Sequence, residues 1–231
     1  MSRLVVMFVI WALALPSVAV GDQKSRRHQA KKKPHLQFSV LRFSREQDLW
    51  LPQIFSGLTA ARVKARTGAD FVFTSGFLNI KKVRGEFTFT PVNLHIIDGN
   101  VKVPAFFPQE KVMADFPWGG PTIFNSITQC LSYGTPTTAC GLKRIPPVPA
   151  EKTGRRIWAI KGSNFFVVDY FGSRVDGQRI ARNYGFESSA HSDGGHMVSP
   201  YARGASFALI FKGKKQLAMA GLFNPLANLA L

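Results

Sequence analysis

Residues 155–185 hold the pattern that most constrains the fold. "RRIWAIKGSNFFVVDYFG" alternates Ile157 and Ala159 with their neighbours, turns at Gly162-Ser163-Asn164, and returns through Phe165 to Tyr170. The next stretch, "SRVDGQRIARNYG", places Val175, Ile180, Ala181 and Tyr184 on one helical face behind a capping Ser173. A tight strand pair feeding directly into a helix excludes both a helical bundle and a pure sandwich. It predicts an α+β fold, with a mixed or antiparallel sheet core and a few packed helices in a single domain.

The other segments fit that prediction. Strands are expected over 36–43 ("LQFSVLRF") and 69–80, where an apolar run reaches Ser75-Gly76. Two more are expected around Pro91 in 85–103, with a turn at Asp98-Gly99-Asn100, and a closing pair over 204–211 and 215–223. Residues 57–67 suit a short helix, and 141–154 form a proline-rich loop. "GGPTIFNSITQCL" fits a strand or a helix equally. Twenty phenylalanines and twenty glycines favour strands and turns.

The chain opens with a targeting pattern. Arg3 precedes an unbroken apolar run from Leu4 to Leu15, Pro16 ends it, and Ser17-Val18-Ala19 offers small residues for cleavage after Ala19 or Gly21. Twelve residues are short for a membrane span, so 1–21 are read as a secretory signal and the protein as exported, periplasmic or secreted. Residues 22–34 ("DQKSRRHQAKKKP") carry six Lys or Arg against one Asp and are expected to be a disordered basic arm. The formal charge of +17 falls to +11 without Arg3 and the arm. A basic exported protein is expected to meet an anionic polymer or membrane surface through the arm, with no specific nucleic acid implied. In an oxidising compartment Cys130 and Cys140 are expected to form a disulfide.

The chemistry concentrates in "AHSDGGHMVSP" (190–200). Its small and polar residues argue against a core strand, and its glycines against a helix. Gly194 and Gly195 let a ligand approach the backbone, with Asp193 beside it as base, nucleophile or hydroxyl acceptor. His191, Asp193 and His196 have a mixed-ligand look, but their spacing matches no common zinc motif; no cofactor is expected, and a divalent metal is the less favoured alternative. Thr74 and Gly76 end a strand as the edge of a pocket. Gly119 and Gly120 precede the fixed Pro121, Arg156 offers a guanidinium for phosphate, and Asp169 is a second carboxylate or a buried cap.

The order of these stretches carries more than each alone. "FTSGFLNI" resembles the "NGGFF" stretch of phosphodiester glycosidase domains. "TPVNLHIIDGNV" is similar to that family's "P-x-G-L-x-I-x-D-G-K", "GGPTIFN" to its "G-G-P-x-L-V", the 155–172 hairpin to its Arg-bearing hairpin, and "SSAHSDGGHMV" to its "A-L-N-L-D-G-G-G-S". The resemblance spans about residues 70–211 and implies that 35–231 form a domain hydrolysing sugar-1-phosphodiester linkages in envelope glycopolymers or glycoconjugates. It further implies a phosphate-bearing carbohydrate substrate. The implied catalytic residues are Asp193, His196, Arg156 and Thr74, with Gly76, Gly119, Gly120, Gly194, Gly195, His191 and Asp169 binding substrate. Thr74 and Ser75 stand where the family has Asn-Gly, and His196-Met197 where it has Gly-Ser. These departures leave open a non-catalytic relative that binds an anionic glycan.

Overall fold

The computed structural model describes residues 37–105, 111–143, 151–194 and 198–226. The signal segment and the basic arm lie outside the described residues. So do Gly195 and His196, the Asp193 side chain, and residues 144–150 of the proline-rich loop.

Strand outweighs helix in an α+β arrangement of antiparallel sheets. The hairpin forms as expected, with β11 (Thr153–Lys161) and β12 (Asn164–Gly172) joined by the two residues between Lys161 and its partner Asn164. Gly162 adopts a φ of 55°, which its lack of Cβ permits. β1 (Phe38–Ser44) flanks β12 and β13 (Ser188–Gly194) flanks β11, giving the order β1-β12-β11-β13. A second sheet runs β7-β6-β10-β8-β9, from β7 (Asn100–Val103), β6 (His95–Ile97), β10 (Thr138–Leu142), β8 (Lys111–Asp115) and β9 (Thr122–Phe124). A third sets β14 (Ser206–Phe211) between β2 (Leu49–Ile54) and β3 (Phe71–Thr74). β4 (Leu78–Val83) and β5 (Glu86–Pro91) form a separate hairpin.

Strand alternation assigns the two faces of the hairpin sheet. Trp158, Ile160, Phe165, Val167 and Ala190 pack inward against Trp50, Phe73, Ala208 and Ile210 of the three-stranded sheet. Ile157, Ala159, Val168 and Tyr170 face the other way, onto Ile180 of α3 (Arg174–Tyr184). The helix starts where expected, at a reciprocal capping box between Ser173 and Asp176, and stops at the left-handed Gly185. Gly177 lets it lie on the sheet, since a Cβ there would overlap the Tyr170 hydroxyl. The short helix α1 (Ala60–Thr67) is capped by Thr59 and Gly68.

Several expectations are corrected. Residues 69–80 split into β3 and β4 at Ser75-Gly76, and "GGPTIFNSITQCL" holds both a strand, β9, and a helix, α2 (Ile127–Ser132). Residues 215–223 are not a closing strand: both edges of β14 are already taken by β2 and β3, and Lys215–Met219 form a short helix, α4. Its first residue, Lys215, is buried 3.1 Å from the Asp115 carboxylate. Residues 190–194 of the stretch judged unfit for a core strand belong to β13, with Ala190, His191 and Ser192 buried. Its small side chains fit there because Ala190 pairs with the large, fully buried Trp158.

The expected disulfide is absent, and Cys130 and Cys140 are unbridged buried thiols. Adjacent residues of β10 face opposite sides. Ala139 packs on the side of α2 with Cys130, while Cys140 packs into the inter-sheet core with Trp158. Among the described residues, no helix is long and apolar enough to cross a membrane.

Candidate functional site

Arg156 organises the site. It lies on the inward face of β11 and is 4% exposed. Its Nε and Nη2 donate to the two Asp169 oxygens at 2.7 and 2.8 Å, a bidentate pair set by the cross-strand register of β11 with β12. Nη1 donates to Thr74 Oγ1 at 3.0 Å and to the Thr74 carbonyl at 3.3 Å, and Nη2 also donates to the Val198 carbonyl at 3.3 Å. Phe73 covers the guanidinium, with Cζ 4.8 Å from the ring centroid. All five N–H donors therefore have protein acceptors.

Thr74, Arg156 and Asp169 line one cavity of about 200 Å³ with Phe73, Val198 and Pro200. Drug-sized ligands occupy roughly 300–1,000 Å³, so this cavity holds only part of a larger molecule.

The Asp193-Gly194 edge lies beside this group. Arg155 pairs with Gly194 and Ile157 with His191, so Arg156 faces both Ser192 and Asp193 across a bulge. Bulges re-aim side chains, and this one falls on the stretch singled out from sequence. Gly194 has little room for a side chain, since a Cβ would stand 3.0 Å from the Gly154 carbonyl oxygen.

Three sequence candidates are placed elsewhere. His191 points to the opposite face of the sheet, where its Nε2 lies 3.3 Å from the Tyr170 hydroxyl, beside Gly177 of α3. Burial first, then the Arg155 and Arg174 charges, push its pKa down to about 3, so it is a neutral packing residue. Gly119 and Gly120 sit at the turn end of the hairpin. The Gly119 carbonyl accepts from Lys215, and a Cβ at Gly120 would overlap the Arg45 backbone. Arg45 also donates to the carbonyls of Pro121 at 2.9 Å and Gly162 at 3.1 Å. Among the described residues no three His, Cys, Asp or Glu side chains gather in a metal-ligand group.

Gly76 joins residues that sequence reasoning passed over. At φ 71° it turns the chain out of β3, and a Cβ there would stand 3.1 Å from His95 Cε1 and 3.7 Å from Asn93 Cβ. Both residues are fully buried. The signal was present in "PVNLHII", where Asn93 and His95 occupy alternate positions of an otherwise apolar stretch.

The arrangement can be compared with known folds. The catalytic domain of zebrafish N-acetylglucosamine-1-phosphodiester α-N-acetylglucosaminidase, auto-inhibited by its pro-peptide, superposes with a TM-score of 0.54 at 9% identity. The match covers 79% of this chain and 85% of that one. The two share a fold. At this identity the likeness is a distant structural relationship and speaks to the fold alone. No family model and no curated protein matches the sequence.

Proposed function

We propose that this chain is an exported hydrolase of sugar-1-phosphodiester bonds, acting on phosphate-bearing glycopolymers or glycoconjugates. The observation that carries the proposal is the meeting of Thr74, Arg156 and Asp169, from β3 and the β11–β12 hairpin, with the bulged Ser192-Asp193 backbone of β13. The reading is supported by the shared fold of the zebrafish neighbour, whose name describes a phosphodiester glycosidase.

The chemistry suits the residues. Cleavage at the anomeric carbon expels a phosphate monoester whose second pKa is about 6, so the leaving group needs charge compensation more than a proton. Backbone N–H groups along Asp193-Gly194-Gly195 would meet that charge. Asp193 would attack the anomeric carbon, stabilise its oxocarbenium character or activate water. Arg156 acts by holding Asp169 and the end of β3 in place, since its own donors are engaged.

That engagement also favours a second reading, a binding module that keeps the fold without turnover. Hydrolysis of nitrophenyl sugar phosphodiesters by the full chain, beside Asp193→Ala and with and without chelator, separates the two. Turnover abolished by the substitution supports the hydrolase. Sugar-phosphate binding without turnover supports the module, and turnover that survives in Asp193→Ala refutes the role of that carboxylate.

A further inference from the structure

The β4–β5 hairpin stands in solvent over most of its length. Every residue from Asn79 to Thr88 is exposed. The base is fixed to the body. Ser56 donates to the Phe89 carbonyl, and the Phe89 ring packs by Gly57, where a Cβ would stand 3.6 Å from it. The tip is a tight turn with Arg84 at φ 50° and Gly85 at φ 89°. From Leu78 to Val83 the strand spans about 17 Å.

A two-stranded ribbon with both faces in water is marginal by itself. This one nonetheless carries large apolar side chains outward. Phe87 is 58% exposed, Val83 52% and Ile80 43%. Register sorts them. Ile80 opposes Phe89 and Lys82 opposes Phe87, so these four share one face. Lys81 opposes Thr88 and Val83 opposes Glu86 on the other. The first face is apolar except for Lys82, whose Nζ lies 5.8 Å from the Phe87 ring centroid. The second is mostly polar, with Val83 beside the turn. Over the exposed stretch, Lys81, Lys82 and Arg84 stand against Glu86.

The side chains discriminate among occupants. A soluble polyanion would meet the cations and leave Ile80 and Phe87 in water. A second copy would cover the apolar face but bring two cationic tips together. An anionic bilayer surface satisfies both demands. Apolar side chains enter the boundary between headgroups and acyl chains, about 5–10 Å deep, while Lys and Arg reach back to the lipid phosphates.

We propose that the β4–β5 hairpin is a membrane-contact element. Ile80, Phe87 and the tip residue Val83 enter the interface of an anionic lipid bilayer, and Lys81, Lys82 and Arg84 engage its headgroups. The element is separate from the basic arm, and the inference is independent of the hydrolase reading.

Spin labelling of the full chain tests it. A nitroxide is placed at Val83→Cys and, as a control, at Asn183→Cys, an exposed position of α3. Cys130 and Cys140 are buried and stay unlabelled. The probes are vesicles of phosphatidylcholine with phosphatidylglycerol, vesicles of phosphatidylcholine alone, and inorganic phosphate. With the anionic vesicles the Val83 label should gain access to oxygen, which dissolves in the bilayer, and lose access to a water-soluble nickel chelate. The Asn183 label should not change. Neutral vesicles should need at least about tenfold more lipid for the same effect, and inorganic phosphate should give none. Lys81→Gln with Lys82→Gln should raise the lipid needed for half of the change about 25-fold, at about fivefold per cation. Ile80→Thr with Phe87→Thr should raise it about tenfold or more. Melting temperatures should match wild type, because the substituted side chains face solvent.

Vesicle binding that leaves the Val83 label in water overturns the proposal and assigns the contact to another segment, such as the basic arm. So does an absence of binding, an equal response to neutral vesicles, or a response indifferent to both double variants. A response to inorganic phosphate alone, or one that follows protein concentration without lipid, overturns it in favour of a polyanion or a second copy.

Discussion

Asp169→Asn tests whether the Arg156 clamp is a structural keystone. The guanidinium is 4% exposed and the Asp169 carboxylate 26% exposed. Removing one partner of a buried ion pair typically costs about 3–5 kcal/mol, because the remaining charge is stranded. Water reaches the carboxylate side, and Thr74 and Val198 still accept from Arg156, so the low end applies, about 3 kcal/mol. For a protein of this size each kcal/mol moves the melting temperature by about 2–4 °C, giving a fall of about 6–12 °C. Urea unfolding of wild type, Asp169→Asn, Arg156→Met and the double variant measures it. Arg156→Met should cost less than Asp169→Asn, because the carboxylate it leaves can hydrate and the thioether packs on Phe73. The double variant should be no less stable than Asp169→Asn alone, which makes the coupling at least as large as the cost of Arg156→Met by itself. A loss below about 1 kcal/mol in Asp169→Asn, or strict additivity, would refute the reasoning and show Arg156 to be adequately held by Thr74 and Val198.

Three further outcomes follow from packing. The folded pKa of His191, about 3, lies below its unfolded value near 6.5, so its contribution is complete above pH 6.5 and is lost as pH falls toward 3. Between pH 6.5 and 4 that loss is about 3 kcal/mol, and urea melts of His191→Gln should lack this part of the acid slope. Gly177→Ala should destabilise by about 1–2 kcal/mol despite the better helix propensity of Ala, because its Cβ meets Tyr170; a melt of Gly177→Ala with Tyr170→Phe should show most of it restored. Cys130 and Cys140 should resist thiol-reactive probes until denaturant unfolds the protein, and reductant should leave the melting temperature unchanged. Burial also pushes the Cys130 thiol up to about 11, which removes its reactive thiolate.

How far the sequence could be read depended on the range of the forces involved. The hairpin, the α3 capping box and the Asp98-Gly99 turn are local. Their determinants are Gly162, Ser173 with Asp176, and the positive φ of Asp98 and Gly99, all within a few residues. Thr74, Arg156 and Asp169 emerged as candidates, and the structure gathers them. What local reasoning missed was set by distant partners. Residues 215–223 have a strand-like composition, but no free edge of β14 awaited them. His191 looked like part of a polar cluster with Asp193, yet the period of two along β13 turned it to the α3 face. Cys130 and Cys140 are close in sequence, but the two faces of β10 separate them. Asn93 and His95 were hidden because a polar residue within an apolar stretch declares itself only when its burial is known.

The position of β14 bears on how the protein is made. It is the central strand of its sheet and pairs with β2 and β3, which precede it by well over a hundred residues. Until Ser206–Phe211 has been synthesised, β2 and β3 have no strand between them, and the Thr74 end of β3 is not fixed. Loop closure over such separations is slow, and unpaired edges are exposed meanwhile. The nascent chain therefore cannot complete this sheet before Phe211 has been added, and ribosome-bound chains halted before Ser206 should be protease-sensitive throughout residues 49–74.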